Sequence, residues 1–90
     1  MQVELNDVIR SYDFKPMVGR NDCFVEGKVI DRNAVRECGY NAYKIEVSRD
    51  FYDGENQPAG ELSRVGKTVF VPWRVSFMEY QGRIINLSRI

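Results

Sequence analysis

The hydrophobic positions change period once along the chain. In residues 1–14, Leu5, Val8, Ile9 and Tyr12 recur at i, i+3, i+4 and i+7, which is one face of a short helix. Asn6 is placed to cap it, with Asp7 in the first turn near the positive end of the helix dipole. The alternative there is a short edge strand, since Val3 and Leu5 alternate. Pro16 ends whichever element forms, because the residue before a proline avoids the helical region.

From Cys23 onward the period is two. Residues 23–31 predict a strand with Val25 and Val29 on one face and Phe24 and Lys28 on the other. Gly27 lies between the two valines, and a glycine inside a strand marks a bend or a close backbone approach. A polar connection, residues 31–41, holds Asn33 and Gly39. Residues 42–49 then alternate, with Tyr43, Ile45 and Val47 inward and Lys44, Glu46 and Ser48 outward. Residues 50–66 form the longest irregular stretch, with Gly54, Pro58, Gly60 and Gly66 as turn formers and Leu62 and Val65 as anchors of a helical turn. Residues 67–77 place Val69, Val71, Trp73, Val75 and Phe77 on one parity, so Trp73 is expected in the core. Pro72 cannot donate a ladder hydrogen bond and requires an edge, a bulge or a break. Residues 83–87 return as a last strand with Ile85 and Leu87 inward.

Four or five short strands with hairpin-length connections point to a mainly β fold that curls on itself, because a lone meander leaves two unpaired edges. The strand order resembles a small SH3-like barrel of about five antiparallel strands with one short N-terminal helix. An OB-like barrel (the oligonucleotide/oligosaccharide-binding type) and an α+β split sheet with the helix packed across it are the alternatives. At 90 residues the chain is expected to be a single domain, residues 1–90. Its 43% hydrophobic and 29% charged residues are those of an ordinary folded domain. No apolar run approaches the ~20 residues of a membrane-spanning helix, and no secretory signal is evident, so a cytoplasmic protein without membrane contact is expected.

The reactive inventory narrows the chemistry. The chain has no histidine, which removes the commonest general base and metal ligand near neutral pH. Cys23 and Cys38 are the only cysteines; they lack zinc-site spacing and are expected to be thiols in a reducing compartment. The run from Gly60 to Thr68 imitates a phosphate-binding loop, but its spacer is one residue too long and it opens a strand rather than a helix. The acidic run around Asp50, Asp53 and Glu55 reads as a solvated turn rather than a calcium loop. Asn86-Leu87-Ser88 fits a glycosylation acceptor, which matters only in a secreted protein. No enzyme, cofactor or metal is expected.

Charge is uneven beneath a net charge of zero. Residues 1–31 and 32–62 each carry six acids and four bases, whereas residues 63–90 set Arg64, Lys67, Arg74, Arg83 and Arg89 against Glu79 alone. Two binding surfaces follow. The first is a protein-interaction surface anchored by Phe51, Tyr52 and Tyr80, since aromatic loop residues give large contact area at low entropy cost. The second is a single-stranded nucleic-acid face in which Phe70 stacks on bases while Lys28, Lys67, Arg74 and Arg83 contact phosphate. The zero net charge favours the protein partner, making the chain a non-enzymatic binding accessory.

Overall fold

In the computed structural model, which describes residues 2–12, 23–73 and 84–89, the chain is mainly β. Strands β1 (Val8–Tyr12), β2 (Phe24–Asp31), β3 (Ala42–Tyr52), β4 (Glu55–Gln57), β5 (Thr68–Pro72) and β6 (Ile84–Asn86) are joined by antiparallel pairings into one sheet. A four-residue helix, α1 (Val35–Cys38), lies between β2 and β3, and a 3-10 turn (Leu87–Arg89) follows β6. The order is β4-β3-β2-β1-β6, with β5 also on β3. The length of β3 allows this. Its first half pairs with β5, its last residues pair with β4, and β2 runs along its other edge. Among the described residues no pairing closes the sheet.

The N-terminal helix does not form. Leu5 is 54% exposed, Asn6 sits in a turn at φ 72°, and residues 8–12 are strand β1. The ladder wins because β1 fills an edge of β2 on one side and takes β6 on the other. A helix this short is marginal without such support. Among the described residues the one α-helix falls instead in the polar connection, where Gly39 ends it at φ 85°.

The core is one cluster: Val3, Ile9, Val25, Val29, Ile45, Val47, Val71 and Ile84, with Tyr43, Val65 and Val69 packed partly buried against it. The strand parities of β3 up to Val47 and of β5 up to Val71 agree with the alternation in the sequence; in β2 Val25 and Val29 face the core as expected, but the outward-facing Phe24 and Glu26 are buried as well. Three of the expected hydrophobic placements fail, and Asp50, expected in a solvated turn, is buried. Trp73 is 43% exposed, at the end of a strand that stops at Pro72. In β6 it is Ile84 and Asn86 that are buried, while Ile85 and Leu87 are half-buried. Leu62 is fully exposed, whereas Val65 packs on the core. Val75 and Phe77 lie outside the described residues.

Residues 50–66 begin with regular structure. The β3–β4 hairpin turns on Asp53 and Gly54, both at positive φ (53° and 78°), as a two-residue hairpin turn demands. Asp50 is buried and accepts hydrogen bonds from the Arg64 amide (3.0 Å) and guanidinium (2.7 Å), which ties the following loop back to β3. Burial opposes charge on Asp50, but the bonds from Arg64 outweigh it and hold the carboxyl below its ordinary range.

Asn86 is inward because its amide is a clip. Its Nδ2 donates to Gln2 O at 3.0 Å and to Asp7 Oδ2 at 2.9 Å. Asp7 Oδ2 also accepts from the Glu4 amide and from Arg89 Nε. The Asn86 amide of the apparent glycosylation acceptor is thus occupied in joining the two ends of the described chain. These bonds, Asn86 foremost, lower the Asp7 carboxyl from an ordinary 3.8 to about 2. A carboxyl depressed on folding contributes stability that is complete above its unfolded pKa and is lost as pH falls through its folded one. The melting temperature should therefore fall as pH drops below 4 toward 2, with Asp7 and Asp50 both contributing. Asp7→Asn should lower it at neutral pH and flatten the acid limb. An acid limb as steep as wild type would show that Asp7 does not carry it.

Candidate binding groove

The sheet presents two faces. Opposite the core face, β1, β2 and β3 form two cross-strand rows, Tyr12–Phe24–Phe51 and Arg10–Glu26–Arg49. Phe24 stacks on Phe51 with ring centroids 4.9 Å apart and meets Tyr12 edge-on at 5.6 Å. The Arg10 and Arg49 guanidiniums lie over the Phe24 ring at 4.4 and 5.5 Å, and Glu26 pairs with Arg10 at 2.6 Å and with Arg49 at 3.8 Å. Stacking and ion pairing link these side chains to one another across the three strands. Phe51 is half-buried within it, whereas its neighbour Tyr52 is 56% exposed beside the hairpin turn. The third proposed anchor, Tyr80, lies outside the described residues.

The proposed nucleic-acid face is described only in part, since Arg74 and Arg83 are outside the described residues. Lys28 is exposed on β2 with Glu46 as its β3 register partner. Lys67 donates to the Glu61 carbonyl at 2.9 Å. Phe70 is half-buried beneath Lys44, whose ammonium is 5.8 Å from the ring centroid and 2.9 Å from Glu37. Carboxylates therefore sit among the cations of this region, which weakens its attraction for a phosphate chain.

The two thiols are taken up separately. Cys23 is buried and its sulfur accepts the Asp53 amide at 3.4 Å. Cys38 Sγ lies 3.3 Å from the carbonyl oxygens of Ala34 and Tyr40.

A different set of residues forms a depression of about 670 Å³: Gln2, Val3, Arg32, Asn33, Tyr43 and Trp73. They come from the N-terminal segment, the exit of β2, the start of β3 and the end of β5. Local hydrogen bonds explain why they meet. Asn33 Oδ1 accepts the Val35 amide (3.2 Å) and the Ala42 amide (3.4 Å), and its Nδ2 donates to Asn41 Oδ1 at 3.1 Å, which draws the ends of the α1 connection together. Trp73 N donates to Asn41 O at 3.0 Å, and its indole Nε1 donates to Arg32 O at 3.3 Å. Arg32 Nε in turn donates to Val3 O at 3.0 Å. The indole rests on Tyr43 with centroids 5.7 Å apart and planes inclined at 42°. Burial pushes the Tyr43 phenol above its ordinary pKa, and the charge of Arg32 pulls partly against it.

Among the described residues, the result is an open concavity with an aromatic wall, one cationic side chain and amide groups at the rim. Strand parity hid it, because Val69 and Val71 carry Trp73 inward only if β5 continues through Pro72. Pro72 was the sequence signal that it does not. No helix among the described residues is long and apolar enough to cross a membrane. Compared with protein-family models, curated proteins and solved structures, the chain matches none.

Proposed function

We propose that the chain is a non-enzymatic small β-barrel binding module, of SH3-like strand order, that holds a short extended segment of a partner protein in the Trp73–Tyr43 groove. The barrel reading is supported by the order β4-β3-β2-β1-β6 with β5 on β3, and by nearly equal extents of 31 × 29 × 27 Å, unlike those of a flat sheet. The observation that carries the function is the half-exposed indole of Trp73, held by its own hydrogen bond against Tyr43 beside a 670 Å³ depression. Aromatic-lined grooves suit extended peptides, whose apolar rings lie flat on the aromatic faces. The nucleic-acid alternative has less support, because carboxylates neighbour its described cations.

Selection from a phage-displayed pool of random decapeptides tests this. Wild-type protein should enrich a family of sequences that Trp73→Ala protein does not retain. Equal enrichment on both proteins, or none on either, would refute the groove. Steep, salt-sensitive binding of a single-stranded oligonucleotide that survives Trp73→Ala would move the function to the basic face.

A further inference from the structure

Resting on that reading, we infer that the groove selects an acidic peptide segment, one in which a carboxylate stands beside a proline, and that Arg32 is the residue that reads the carboxylate. Of the described residues lining the depression, Arg32 alone is charged. A cationic ligand, such as a lysine side chain caged by the two aromatic rings, would meet this like charge at the mouth of the site. An anionic ligand meets a complementary one.

The guanidinium is only partly committed. Its Nε holds Val3 O, which fixes its position. Its Nη1 is 3.6 Å from Glu4 Oε2, a long contact between side chains that are 58% and 39% exposed. Its Nη2 has no hydrogen-bond partner among the described residues. A guanidinium anchored through Nε and loosely matched at its outer end can take a ligand carboxylate with little reordering. Glu4, itself tied to Gln2 Nε2 at 3.0 Å, already brings an intrachain carboxylate to this charge and competes with a ligand for it. The apolar part of the ligand falls to Trp73, whose Nε1 is spent on Arg32 O and whose ring offers area rather than a hydrogen bond. Proline suits that surface, since its ring packs flat and its fixed φ reduces the entropy lost on binding.

The experiment follows Trp73 fluorescence, the signal of the only tryptophan in the chain, during titration with two hexapeptides. One is a repeat of Pro-Pro-Glu blocked at both ends, and the other is its Pro-Pro-Gln analogue. The acidic peptide should bind about three- to tenfold more tightly, the range of a partly exposed charge-assisted contact, and the gap should shrink with added salt. In Arg32→Gln protein the two peptides should bind alike. In Glu4→Gln protein, freed of its competitor, the acidic peptide should bind about two- to threefold more tightly than in wild type. Equal binding of both peptides to wild type overturns the acidic preference while leaving the groove reading in place. If neither peptide perturbs Trp73 and the decapeptide pool yields no enrichment, the groove reading itself fails. A single-stranded thymidine oligonucleotide that binds wild type and loses affinity in Arg32→Gln overturns the peptide in favour of a phosphate chain.

Discussion

Replacing Gly27 by alanine should destabilise the domain by about 3 kcal/mol, the upper part of the usual range for forcing extra volume into a packed interior. A Cβ at this buried position would press into the Glu46 carbonyl oxygen, with the carbonyl carbon at 2.9 Å and Val47 Cα at 3.1 Å. All three neighbours are backbone atoms, so no rotamer change relieves the clash. The cause is a bulge. Glu26 pairs with Arg49 and Gly27 with Val47, leaving Ser48 as the extra residue, with its hydroxyl donating to the Glu26 carbonyl at 3.3 Å. The backbones of β2 and β3 come close here, and these two strands share the most extensive pairing in the sheet. Against a total stability of roughly 5–10 kcal/mol for a domain of this size, the loss should appear as a large fall in the urea midpoint with an unchanged slope. A midpoint within the error of wild type would mean that the strands separate at this point without cost.

The same bulge shows what the sequence could and could not convey. Gly27 announced a close approach, and the alternation through Val47 was legible because hydrophobic residues and the pleat share a period. Beyond Ser48 the parity flips. Asp50 turns to the core face, where Arg64 satisfies it, and Phe51 turns to the opposite face to stack on Phe24. An inserted residue of this kind leaves no mark in the hydrophobicity. The parity of β6 departs from the sequence pattern for a related reason. Asn86 is inward because Asp7 and Gln2 accept its amide hydrogens, and a satisfied buried amide looks like a surface residue in a sequence. Neither the helix over Leu5–Tyr12 nor the edge strand at Val3–Leu5 forms; the strand lies instead at Val8–Tyr12, where the long-range partners β2 and β6 hold it. Of the proposed site residues, Tyr52 lies exposed as the sequence suggested, while Phe51 is enclosed by a cross-strand stack that no local pattern encodes. The groove depends on contacts far apart in sequence, Arg32 with Val3 and Trp73 with Arg32 and Tyr43, which no local pattern marks.

Trp73→Ala should separate folding from binding more sharply than any other substitution in the chain. A tryptophan buried in the core would lose about 3–5 kcal/mol of stability on truncation. At 43% exposure, with one hydrogen bond to a carbonyl and one face on Tyr43, Trp73 should lose only about 1 kcal/mol. Native emission should accordingly be red-shifted toward that of a hydrated indole, where a core indole would emit to the blue. Affinity for a selected peptide should meanwhile fall about thirtyfold, the roughly 2 kcal/mol of an aromatic anchor at the centre of an interface. The two quantities bear on different claims. A stability loss above about 3 kcal/mol would return Trp73 to the core and close the groove with it. A small stability loss with unchanged affinity would leave Trp73 at the rim and place the ligand elsewhere, with Tyr52 as the next exposed aromatic to truncate. Only a small change in folding joined to a large change in binding is consistent with an indole held open at the end of β5 to meet a partner.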